Sequence, residues 1–274
     1  MIVCILFLND ERHDCSFLKN YMIVNYSEDG WEVITQRAHG ILAAAFALHW
    51  KKAQRPDRWM ETLLAIAEHD DAEVELDGEN LLTEKGGPLN FDMKVFDLAH
   101  CEKLSRLTVT KSRYIALLTS MHTEFLYRKE EKDNSEAKAF LAKQRTLQTA
   151  WRKELKMSKE EAEKIYALME WCDACSLIVC QKQMPPEQRA VEISHGPDKE
   201  KYRLYQLNKN QLTLEPWPFE TPSFKVQYES RTISQLQFSS SQEFRKAFLE
   251  APVKETEWQI VQRKTPKKLK MTKV

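Results

Sequence analysis

The chain has 274 residues with 41 Lys+Arg against 41 Asp+Glu, a formal net charge of zero. That balance argues against a bulk electrostatic hold on nucleic acid or an anionic membrane, and a hydrophobic fraction of 42% excludes a disordered segment. With only six Gly and ten Pro as punctuation, long helices are expected rather than an all-strand barrel.

The first apolar run, Met1 to Leu8, lacks a basic leader and is far shorter than the ~20 residues of a bilayer span. A cytoplasmic protein is therefore expected. Residues 1–21 read as an appendage, because Met22-Ile-Val repeats the opening and starts a cleaner pattern. Two β-rich runs around Asp29-Gly30 predict a hairpin. From Gln36 apolar residues recur at helical spacing, and further helices are predicted over Trp59 to about Asp70, Phe91 to Leu107 and Tyr114 to Tyr127. Residues 72–91, with an acidic start and Gly86-Gly87-Pro88, read as a long loop and a candidate lid. Residues 128–164 are dense in charge and predict a solvent-facing helical hairpin; Ser158 then caps a helix that runs to Cys180.

Beyond Met184-Pro-Pro the period changes to two. Gln211 to Leu214, Phe224 to Tyr228, Leu236 to Phe238 and Trp258 to Ile260 alternate apolar with polar, and Phe244 to Leu249 reads as a short helix. The expected fold is mainly α, a helical bundle with a small antiparallel β subdomain that the N-terminal hairpin can join. The expected division is 1–21 appendage, 22–187 helical domain, 188–262 β subdomain and 263–274 basic tail. Without the two ends the chain carries 33 basic against 38 acidic residues, so its neutrality comes from the tail.

The chemistry lies in the histidines. His39, His69, His100 and His122 each fall on a different predicted helix, on or beside its apolar face, and Asp70 follows His69 directly. Asp173 shares a helical face with Ile165, Met169, Leu177 and Cys180. A carboxylate there needs a cation, a metal or a hydrogen-bond network. Imidazole and carboxylate are ligands for Fe, Mn or Zn, and converging helices can hold such a set. Asp71 can orient a ligand, and Arg37, beside the His39 face, can meet a phosphate or carboxylate. The six cysteines read as reduced thiols. Cys172, Cys175 and Cys180 fall within a helical apolar pattern, and no second Cys pair completes a zinc site.

The order His39, His69-Asp70, His100, His122, Asp173 resembles the HD-domain superfamily in its dinuclear variety. That resemblance implies one metal at His39, His69, Asp70 and Asp173, a second at His100 and His122, and Asp70 bridging the two. Over a longer span, the chain resembles an uncharacterised bacterial family, domain of unknown function 3891. The matching motifs are Ile34-Thr-Gln…His39, Ala65-Ile-Ala-Glu-His-Asp-Asp71, Gly87-Pro-Leu-Asn-Phe91, Ala116-Leu-Leu-Thr-Ser-Met-His122 and Pro216-Trp-Pro-Phe219. The match runs from about Met22 to about Val261, with Ala72-Glu73 standing where that family leads one to expect Gly-Trp.

The leading functional expectation is metal-dependent hydrolysis of a small phosphorylated substrate, using one or two divalent ions with Asp70, Asp71 and Arg37 as catalytic candidates. A di-iron oxygenase acting on a C–H bond fits the same ligands, and a metal-stabilised binding module without catalysis is the third reading. The partner expected is a small molecule, neither nucleic acid nor membrane. No phosphate-binding glycine loop and no G-x-S-x-G elbow is present.

Overall fold

The computed structural model describes residues 21–263 except 73, 74 and 79. Most of the expected N-terminal appendage and almost all of the basic tail lie outside the described residues. The hairpin forms as β1 (Ile23–Ser27) and β2 (Gly30–Ile34), with Ser27 facing Gly30 across the turn. Gly30 has φ +116°, and a Cβ there would lie 2.2 Å from the Ile233 carbonyl oxygen, so glycine meets both the turn and a close backbone approach.

Side-chain caps set the helix starts. Thr35 accepts from the Ala38 N–H and opens α1 (Gln36–Leu48); α2 (Trp59–Ala67) follows. Asp97 caps α3 (Leu98–Lys111), so that helix begins later than the expected Phe91, where a short 3-10 turn stands instead. Ser112 caps α4 (Arg113–Tyr127) and Asn134 caps α5 (Ser135–Leu155). Ser158 caps α6 (Lys159–Cys180), as the sequence predicts. The charged hairpin region is anchored: Phe140 and Leu141 of α5 join a cluster with Phe96 and Tyr127, and Trp151 packs with Leu117 and Ala162.

The remaining elements are β3 (Ala190–His195), β4 (Lys201–Asn208), β5 (Gln211–Glu215), β6 (Ser223–Ile233), α7 (Ser241–Glu250) and β7 (Val253–Val261). They do not make a small subdomain beside a bundle. All seven strands form one mixed, curled sheet, a half-barrel, in the order β1-β2-β6-β7-β5-β4-β3, with β5 and β7 parallel and the other neighbours antiparallel. Helices take 48% and strands 23%, so the expected mainly-α, HD-domain-like bundle is corrected to a mixed α/β architecture. Two features account for the difference. The hairpin docks its second strand on β6, placing Trp31 opposite Ile233 and Val33 opposite Arg231. The sequence reading also omits β3 and β4, where Tyr202 and Leu204 alternate inward between exposed residues. Leu236 to Phe238, expected as a strand, is irregular; the Phe238 N–H donates to the Gly86 carbonyl.

A single core joins sheet and helices, running from Ile23 and Ile34 through Phe46, Trp50 and Trp171 to Leu204, Phe219 and Ile260. Trp50 follows the end of α1, fully buried, with ring centroids 4.9 Å from Trp171, 5.9 Å from Tyr202 and 6.1 Å from Phe219. Hydrogen bonds from Lys51 N–H to Pro218 C=O and from Glu220 N–H to His49 C=O lock α1 to this turn. Trp50→Ala is expected to cost about 3–5 kcal/mol, seen as a lower urea midpoint with an unchanged slope. An unmoved midpoint would show that this plug does not tie the layers together. No helix among the described residues is long and apolar enough to cross a membrane.

Candidate metal centre

The centre is assembled from three helices and one turn. His39 lies on the buried face of α1, one turn after the Thr35 cap. At the next residue, a Cβ on Gly40 would stand 2.3 Å from the Ala67 carbonyl oxygen, so α1 is in backbone contact with the end of α2. The chain leaves α2 at Ala67, and His69 and Asp70 sit in the turn that follows rather than on a helix. His69 Nδ1 lies 2.8 Å from the Ile66 carbonyl, which can only accept; Nδ1 therefore carries the proton and Nε2 faces the centre. His122 comes from α4 and Asp173 from α6, both buried.

Asp173 is the hub. Its Oδ1 lies 3.0 Å from His39 Nε2 and 3.2 Å from His69 Nε2, and its Oδ2 is 3.9 Å from His122 Nε2. His69 Nε2 is also 3.9 Å from Asp70 Oδ2. The His69 ring stands edge-on to both His39 and His122, with centroids 4.9 Å apart in each case. Two groupings have ligand atoms within 4.8 Å of one another: His39, His69 and Asp173; and His69, Asp70 and His122. His69 is common to both.

The charges are coupled. Burial opposes a charge on His69, but Asp173 and then Asp70 outweigh it and push its pKa up to about 9. Burial likewise opposes ionisation of Asp173, yet His69 and the contact with His39 hold its carboxyl well below the usual range. Asp70 is held down against burial by Lys94, 3.6 Å away, and then by His69 and His122. Burial, reinforced by His69, keeps His122 neutral with a pKa of about 4.

A divalent ion fits this donor set. His69 Nε2 is fully buried, lies close to Asp173, and yet has no aligned hydrogen-bond partner. Such an orphan nitrogen between carboxylates is what a metal would satisfy. Three imidazoles and two carboxylates are also the ligands that Fe, Mn or Zn take. The buried thiols of Cys172, Cys175 and Cys180 are pushed up by burial and belong to the core, outside both groupings.

Five of the six expected ligands thus meet. His100, on α3, stands outside both groupings; its Nε2 is buried without a partner, and burial, then Lys94, lower its pKa to about 4. Arg37 and Asp71 meet each other: Arg37 Nε donates to Asp71 Oδ1 at 2.7 Å, and neither lines the cavity beside the centre. His49 stacks on Phe224, with ring centroids 3.8 Å apart, at the far end of α1. That cavity, of about 190 Å³, is bordered by His39, Asp70, His122 and Asp173, and also by Lys94, Tyr127 and Gln36, which the sequence reading does not single out. Among the described residues of the 72–91 loop, only Phe91 reaches it; Leu81 is instead buried with Met22, Val33 and Phe238. Lys94 sits in an irregular stretch without period, so no sequence pattern marks it; Gln36 and Tyr127 each stand three or five residues from a candidate ligand.

The model of a family of proteins of unknown function, DUF3891, matches residues 22–235. The chain belongs to this family. The DUF3891 match begins where the sequence resemblance begins, contains all five converging residues, and ends before α7 and β7. Neither a curated protein nor a solved structure is significantly similar to the chain.

Proposed function

We propose that this DUF3891 protein is a metal-dependent hydrolase of a small phosphorylated substrate. The observation that carries the reading is a buried cluster of three imidazoles and two carboxylates that borders a cavity containing a single lysine. His69 Nε2 has one lone pair and would bind one ion, so a divalent ion of Fe, Mn or Zn would be held by His69 together with His39 and Asp173 or together with Asp70 and His122. When bound, such an ion lowers the pKa of water and supplies hydroxide near neutral pH.

The chain's own groups supply the rest. The Ile66 carbonyl fixes the His69 tautomer, and Tyr166 Oη, 3.3 Å from His122 Nδ1, would orient the His122 ring. Phe91, Leu126 and Leu177 line part of the cavity and exclude water from its charges. Lys94 offers a cation to an anionic substrate in a cavity that is otherwise acidic. A small-molecule partner in the cytoplasm completes this reading.

The test is elemental analysis of protein purified without chelator, together with turnover of small phosphomonoesters. Because His69 is common to both groupings, His69→Ala is expected to remove the bound metal, whereas His39→Ala, which leaves His69, Asp70 and His122 in place, retains it at reduced affinity. Metal-free protein after resupply of Fe, Mn and Zn would overturn the reading. A coloured, iron-loaded protein that consumes O₂ and ignores phosphoesters would replace hydrolysis by oxygenation.

A further inference from the structure

Two residues that line the cavity each carry a buried polar atom that the fold leaves without a partner. Tyr127 is 5% exposed, and its hydroxyl is buried and makes no hydrogen bond. Gln36 is 9% exposed, and its Oε1 is buried in the same condition. Both residues line the cavity that borders the metal centre, and so does Lys94, whose Nζ sits 3.6 Å from Asp70 Oδ1. A buried polar group without a partner is costly, and folded proteins keep few of them. Two such residues in one lining, beside its single cation, describe a surface waiting for a ligand's polar atoms.

The chemistry of the wall selects that ligand. Burial first, then the neighbouring Cys101, Asp70, Glu130 and Asp97, keep the Tyr127 hydroxyl protonated, so it is a donor for an oxyanion. Lys94 is a second donor and carries the charge. Gln36 Oε1 accepts, and so asks for a hydroxyl or amine on the ligand. Asp70, Glu130 and Asp173 make the cavity hostile to a free anion unless it is held by metal and by these donors together.

Resting on the hydrolase reading, we infer that Tyr127 and Lys94 form a phosphate-orienting wall, that Gln36 receives a hydroxyl of the alcohol portion, and that the substrate is a small, hydroxyl-bearing phosphate monoester. The volume of about 190 Å³ favours a small phosphate monoester over a bulky diester.

The experiment is calorimetric titration of the metal-loaded full chain with inorganic phosphate and with glycerol phosphate, with metal content measured on each sample. Tyr127→Phe removes only the hydroxyl, so it preserves ring packing against Phe96. It is expected to weaken phosphate binding about 10-fold with the metal retained, since a hydrogen bond to a charged group contributes about 1.5–3 kcal/mol. Gln36→Leu is expected to narrow the preference for glycerol phosphate over phosphate. Equal phosphate affinity in the wild type and in Tyr127→Phe, both metal-loaded, overturns the wall, as does a metal-loaded wild type that binds no phosphate. A wild type that never takes up metal removes the hydrolase reading itself, an outcome that elemental analysis separates from the other two.

Discussion

Asp173→Ala is expected to weaken metal binding sharply and to lower the stability of the metal-free protein by about 3–5 kcal/mol, the usual consequence of removing one partner from a buried ionic cluster. Asp173 touches His39 and His69 and faces His122, so among the described residues no other carboxylate is shared as widely by the imidazoles. Without it, His69 loses the main charge that holds its pKa near 9, and burial returns the ring to neutrality. The stability difference between wild type and variant should therefore depend on pH. His69 has a folded pKa raised above its ordinary 6.5, so its share of the stabilisation is full below about 6.5 and fades as pH rises towards 9. Asp173 has a depressed folded pKa, so its share is present above 3.8 and is lost in acid. Urea melts of metal-free protein should show the largest difference between about pH 4 and 6.5. Asp173→Asn keeps the size of the side chain and serves as the control: it should fold better than the alanine variant and bind metal as weakly. A variant with wild-type metal content would remove Asp173 from the centre.

How much of this was legible beforehand follows from the range of the forces involved. His39, His69, Asp70, His122 and Asp173 could be read because each lies on or just after a strongly periodic apolar stretch, and a titratable residue on such a face stands out. Local signals also marked the hairpin at Asp29-Gly30 and the Ser158 cap. The sheet was not legible as a whole. Its closure depends on β2 meeting β6 and on β5 running parallel to β7, pairings between segments some 200 and 50 residues apart that no local period encodes. Lys94 and Tyr127 escaped for a related reason: each becomes part of the cavity only when the turn after α2 brings Asp70 alongside. Arg37 and Asp71 illustrate the converse. Both are near ligands in sequence, yet α1 and the turn after α2 bring them to each other, and neither lines the cavity.

Gly40→Ala is the change expected to couple fold and site most directly. In an open helix the substitution would stabilise by about 0.5–1 kcal/mol, because glycine loses more backbone entropy on folding. Here the new methyl would lie 2.3 Å from the Ala67 carbonyl oxygen and 3.1 Å from its carbon, both backbone atoms at the end of α2 that no rotamer change can move. Relief requires α1 and α2 to separate, an overpacking cost of about 1–3 kcal/mol that exceeds the propensity gain. The displacement falls on the metal centre because His39 precedes Gly40 and His69 follows Ala67 by two residues. The separation between the His39 and His69 ring centroids, 4.9 Å, would widen, and ligands displaced by as little as about 1 Å no longer define a site. The expected outcome is a lower urea midpoint together with metal affinity at least about 10-fold weaker, a change of ~1.4 kcal/mol. Leu42, two residues on and equally buried, separates this coupling from general destabilisation: Leu42→Ala should cost about 2–5 kcal/mol while leaving metal affinity of the folded protein nearly intact. If Gly40→Ala instead raised stability and bound metal normally, the close approach of α1 to α2 would not be what positions His39 against His69.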